Sequence, residues 1–144
     1  MTDWNELKEL FDDVKSRYEI LDDTDVGEAY SLMKVSSALQ ASYEYGLADL
    51  VKSLAYKDRE AKAIQADVSR ASSNKVNEGE RIATSSPEVI EAWNKCADIK
   101  RSCQLVESTV KFLSRIYYDC KLVYENGCRN MRDSTKGEKL VGRV

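Results

Sequence analysis

The chain has 144 residues, one proline, six glycines and no histidine, with a net charge of −3 at pH 7. That length suits one domain or one extended element, and so little proline and glycine does not serve the many turns of a sandwich or barrel. The absence of histidine removes the commonest general base, the usual nitrogen ligand of zinc and the switch near neutral pH, while 42% apolar and 33% charged residues fit helices with a narrow buried stripe.

The first element is predicted over residues 3–21. Trp4, Phe11 and Tyr18 repeat in sevens, as do Leu7, Val14 and Leu21, so this is an amphipathic helix with a coiled-coil type seam. Asp3, with Glu6 three residues on, is placed to cap its start. The run Asp22-Asp23-Thr24-Asp25 ends it, because acids disfavour a helix C-terminus and favour the next N-terminus. Thr24 or Asp25 then caps a second helix.

That second helix is predicted over 26–72. Leu32, Ser36, Leu39, Tyr43, Leu47, Leu50, Leu54, Ala61, Ile64 and Val68 follow one face. Its middle, Lys57-Asp58-Arg59-Glu60-Ala61-Lys62, is rich in i,i+3 and i,i+4 charge pairs that support a solvated helix. Ser, Asn and Gly then cluster over 73–86, which reads as a connection holding one short helical turn over 77–83. It is long for a plain loop.

The third predicted helix, 87–128, has the clearest signals. Ser86 is a good N-cap, Pro87 fits the first helical position and Glu88 suits the positive end. Two positions then repeat in sevens: Val89, Cys96, Cys103, Val110, Tyr117, Tyr124, and Ala92, Ile99, Val106, Leu113, Cys120, Gly127. A seven-residue period held this long implies left-handed supercoiling against partner helices. Gly127 reads as the stop. Residues 133–144 then read as a flexible basic tail after a single helical domain, 1–132.

Two long helices joined by one connection return antiparallel. The predicted fold is all-α: a long antiparallel helical hairpin of coiled-coil type with a short N-terminal amphipathic helix. Trp93, Phe112, Ile116, Tyr118 and Val123 lie off its main seam, as do Tyr30, Met33, Tyr45, Val51 and Tyr56. Burying a large apolar side chain contributes roughly 1.5–3 kcal/mol, so this much outer apolar surface predicts a homo-oligomer.

Charge is unevenly spread: residues 1–27 carry nine acids and three bases, residues 28–86 balance, and residues 87–144 carry eleven bases and eight acids. Cys96, Cys103, Cys120 and Cys128 form no C-x-x-C pair, and Cys96 and Cys103 lie about 10 Å apart along one helix, too far to bridge. They read as small buried residues of a reducing compartment. No apolar run reaches the roughly 18 residues of a membrane span. The acidic start Met1-Thr2-Asp3-Trp4-Asn5-Glu6 lacks the apolar region of a signal peptide, so a cytoplasmic location is expected.

No enzyme constellation emerges: there is no Gly-rich phosphate loop, no histidine-based triad and no Glu-x-x-His metal motif. The expectation is a non-enzymatic protein with no cofactor, no metal site and no small-molecule substrate. The functional signal is cationic and aromatic. Lys111, Phe112, Arg115, Tyr117, Tyr118, Lys121, Tyr124, Arg129 and Arg132 fall in one short stretch, and cations with aromatic platforms are what holds single-stranded nucleic acid. Lys111, Arg115 and Lys121 take three different outer heptad positions, so one chain offers no tidy basic stripe.

The layout resembles the small helical recombination-mediator proteins of tailed phages, of the T-even type. The resemblance is carried by Lys57-Asp58-Arg59-Glu60-Ala61-Lys62-Ala63 at the end of the long helix and by the connection from Lys75-Val76-Asn77-Glu78 through Arg81-Ile82-Ala83 to Ser86-Pro87-Glu88-Val89. The last helix adds Leu113, Arg115, Tyr118 and Lys121, closing on Asn130-Met131-Arg132. It implies an all-helical homo-oligomer in the host cytoplasm that binds single-stranded DNA and helps a RecA-like recombinase displace single-strand binding protein. It implies DNA contacts at Lys57, Arg59, Lys62, Lys111, Arg115, Lys121, Arg129 and Arg132. The acidic front supports other readings: a helical inhibitor or adaptor, such as a phage anti-defence factor, that mimics nucleic acid to a basic partner, or a structural coiled-coil protein.

Overall fold

A computed structural model describes the backbone of residues 2–141 and the side chains of residues 2–133. The protein is all-α. Among the described residues there are four helices and no strand: α1 (Trp4–Glu19), α2 (Val26–Ser72), α3 (Val76–Ser85) and α4 (Pro87–Val141).

Local chemistry sets the boundaries. The Asp3 carboxylate accepts from the backbone N–H groups of Asn5 and Glu6, both at 3.2 Å, and so satisfies two of the donors that a helix start leaves open. Asp22 folds the α1–α2 turn by accepting from the Thr24 N–H and hydroxyl, each at 2.8 Å. Asp25 then caps α2 by accepting from the Glu28 N–H at 3.0 Å. Ser86 is the single residue between α3 and α4, and α4 opens on Pro87, where a missing N–H is harmless.

Three expectations need correction. The 73–86 connection holds a ten-residue helix, α3, rather than one turn. It is amphipathic and buries Gly79 and Ala83, an apolar stripe too short to stand out beside the Ser and Asn around it. Gly127 does not stop α4, which continues to Val141. Its φ is not positive, so it forms no left-handed cap. A Cβ there would lie 2.1 Å from the Val26 Cγ2, so glycine allows a close approach to α2 inside a continuing helix. Finally, α1 ends at Glu19 rather than at 21. Of the expected flexible tail, 133–144, the backbone of residues 133–141 is helical and belongs to α4, and residues 142–144 lie outside the described residues.

The chain forms two compact units. The first is Met1–Glu44 with Ser108–Val144. Within it α2 and α4 run in opposite directions: Val26 faces Gly127, and the Tyr30 and Tyr124 rings lie 5.3 Å apart. α1 lies against both through rings, with Trp4 and Phe11 on Tyr43, and Phe11 and Tyr18 on Phe112. Its core is Val14, Leu32, Leu113, Ile116 and Cys120, all fully buried. Ile116 lies off the two-helix seam, and α1 is why it is buried: a third helix beside Phe112 and Asp119 turns an outer flank into core. Arg17 fixes α1 to α2 by donating to Glu28 at 2.7 Å and to the Ser31 hydroxyl at 3.0 Å.

The second unit is Tyr45–Glu107. Here too α2 and α4 run in opposite directions, since Val51–Asp58 share a groove with Trp93–Lys100, and Lys57–Ile64 share one with Glu88–Lys95. Ala61, Ala83, Val89, Cys96, Cys103 and Val106 are buried. The Trp93 indole N–H donates to the Gln65 side chain at 2.9 Å. α3 lies close on α2 at Gly79, where an added Cβ would come within 2.6 Å of the Ser69 carbonyl oxygen.

Candidate nucleic-acid interface

Side chains seven, eleven and eighteen residues apart share a helix face, since eighteen residues are five turns. Lys111, Arg115, Tyr118, Leu122 and Arg129 therefore fall on one face of α4, and all five are exposed. Tyr118 and Leu122 are 59% and 58% exposed, which is far more apolar surface than a solvated stripe needs. Arg132 is exposed beside this face. Among the described residues, Lys111, Arg115, Arg129 and Arg132 have no acidic partner. Their charge is free to meet an anion.

Lys121 lies off that face and is half-buried, 4.0 Å from Glu125. The heptad labels separate Lys111, Arg115 and Lys121. The structure joins the first two and leaves the third aside. The spacing from Lys111 to Arg129 was the signal available in the sequence, and it was hidden because the heptad describes the buried seam and not the opposite face.

The three candidates on α2 lie in the second unit. Lys57 and Lys62 are held by acids of their own helix, Glu60 at 3.1 Å and Asp58 at 2.8 Å. Arg59 is exposed, with its guanidinium 5.2 Å from the Tyr56 ring centroid. The eight candidates thus divide five to the first unit and three to the second. An open cleft of about 600 Å³ in the second unit is lined by Lys62, Gln65, Ser69, Arg70, Ser73 and Glu80, among others. Its two cations are already paired, Arg70 with Asp67 at 3.4 Å.

Behind the α4 face, Tyr18 and Cys120 are held in their neutral forms. Tyr18 donates to the Asp119 carboxylate, and that bond with burial pushes its pKa up to about 12. Burial, with Asp119 and Glu28 nearby, raises the Cys120 thiol to about 11. Both stay protonated at neutral pH. Among the described residues no three His, Cys, Asp or Glu side chains converge as metal ligands, and no helix is long and apolar enough to cross a membrane.

The chain matches no protein-family model, no curated protein and no solved structure.

Proposed function

We propose that this protein is a non-enzymatic single-stranded-DNA-binding accessory of phage-type DNA recombination, working as a homo-oligomer of antiparallel, coiled-coil type hairpins. The single observation that carries the reading is the α4 face of Lys111, Arg115, Tyr118, Leu122 and Arg129. It has unpaired cations to take phosphates and an exposed ring to take a base. Single-strand grooves combine these two features. The resemblance to phage recombination mediators supports the recombination setting and a RecA-like recombinase or single-strand binding protein as partner. An oligomer would repeat the face and raise its effective local concentration for a long strand.

Fluorescence anisotropy with labelled oligo-dT tests this reading. Neutralising about four phosphates per chain gives a slope near −3 in log affinity against log salt. Affinity then falls about fiftyfold between 50 and 200 mM salt. Lys111→Ala with Arg115→Ala makes the slope shallower by about 1.4. Flat anisotropy at low salt removes the reading.

A second reading has its own observation. Glu6, Glu9, Asp12, Asp13 and Glu19 are exposed on α1, an acidic surface suited to a basic protein partner in an inhibitor or adaptor. A stoichiometric protein retained from nuclease-treated host lysate, and lost when these acids are changed to Gln or Asn, favours it over DNA binding.

A further inference from the structure

Among the described residues the exposed rings of Tyr30 and Tyr118 contact another ring, whereas two on α2 stand well out of the fold with no ring against them. Tyr45 is 78% exposed and Tyr56 is 56% exposed. They are eleven residues apart on one continuous helix, which places them on the same face about 16 Å apart. Lys52, seven residues after Tyr45, and Arg59, three after Tyr56, fall on that face too. Both are exposed. Lys52 has no acidic partner among the described residues, and Arg59 lies over the Tyr56 ring at 5.2 Å. The whole stripe lies within the second unit, apart from the α4 face argued above.

Core packing does not account for two such rings. Each offers a flat apolar face and a polar edge to water, and each has a cation three or seven residues away. A nucleotide has the complementary parts: a base to stack and a phosphate to pair. Duplex DNA keeps its base faces covered, so only an unpaired strand offers both at once.

We propose that Tyr45 and Tyr56 are base-stacking residues of a second single-strand contact, with Lys52 and Arg59 holding the phosphates beside them. This rests on the reading that the protein binds single-stranded DNA and adds that it holds bases as well as backbone at this stripe.

The test compares two labelled oligomers of equal length, oligo-dT and an abasic strand, by anisotropy at fixed salt. The wild-type chain binds oligo-dT more tightly than the abasic strand. Tyr45→Ala with Tyr56→Ala weakens oligo-dT binding about thirtyfold or more and leaves abasic binding unchanged. Tyr45→Phe with Tyr56→Phe keeps the wild-type affinity, because the ring and not the hydroxyl stacks. Far-UV circular dichroism and light scattering confirm that helix content and mass are those of the wild type. Equal wild-type affinity for the two strands overturns the proposal, as does an alanine pair that binds like the wild type or loses both strands alike. A wild-type chain that binds neither strand overturns the parent reading and this one with it, whereas salt-dependent binding without base preference overturns this one alone.

Discussion

Cys96, Cys103 and Cys120 are buried, and Cys128 is half-exposed. Thiolate, not thiol, is the nucleophile, and burial raises the Cys103 and Cys120 pKa values. Ellman's reagent at pH 8 should therefore titrate one thiol quickly and the other three only on unfolding. Rapid reaction of all four would show that the seam is open. Tyr18 and Cys120 make a second residue-scale prediction. Both pKa values lie above their ordinary ones, at about 12 against 10.0 and about 11 against 9.0. The folded chain thus keeps protons that the unfolded chain releases. Their contribution is complete below pH 9 and is lost as pH rises through 9 to 12. Urea unfolding should show falling stability across that window. Tyr18→Phe removes the bond to Asp119, costs about 1 kcal/mol at pH 7.5, and makes the alkaline fall shallower above pH 10. An unchanged alkaline slope in that variant would remove Tyr18 as a source.

At the scale of elements, the start and end of α2 were legible because Asp25 supplies a cap and the Ser-rich segment after Ser72 supplies a break. The seam of α4 was legible because Val89, Cys96, Cys103, Val106, Leu113 and Cys120 repeat in sevens, and all six are buried. What escaped depends on a third partner. Ile116 is core only because α1 lies there, α3 is a helix whose apolar stripe includes a glycine, and Gly127 looks like a terminator until Val26 is set against it. The α4 candidate face was half legible: its residue types were apparent, but its alignment was not. α3 offers a direct test of close approach. Gly79→Ala gains about 1 kcal/mol of helix propensity but puts a Cβ 2.6 Å from a backbone oxygen of α2. Backbone yields poorly, so the clash prevails and the variant loses about 1–3 kcal/mol. Hydrogen exchange should show α3 amides losing protection. Gly27→Ala is the control: its nearest neighbour, the Asp25 Oδ1, is 3.9 Å away, and it should be neutral or slightly stabilising. A Gly79→Ala chain as stable as wild type would show that α3 does not depend on that contact.

At the scale of the whole molecule, two features point to self-association by different physics. One is apolar: Val51, Val76 and Ile90, outside both candidate DNA faces, are 51%, 71% and 45% exposed, although each is large enough to favour burial by roughly 1.5–3 kcal/mol. The other is charge: the first 27 residues are strongly acidic and the last 58 are basic, so copies could attract head to tail. Salt separates them. At 0.5 M salt, charges more than a few ångströms apart are screened, whereas apolar contact is not weakened. Size-exclusion chromatography with light scattering at tens of micromolar should give a whole-number multiple of 16.3 kDa, and that mass should hold at 0.5 M salt if the apolar faces drive assembly. A mass that falls back to one chain in salt assigns assembly to charge instead. A particle of 16.3 kDa at low salt would leave the α4 face as a single-copy site. With about four cations to hold a strand, it would then bind long and short oligomers alike, so comparing 10- and 60-nucleotide oligo-dT checks the same conclusion from the DNA side.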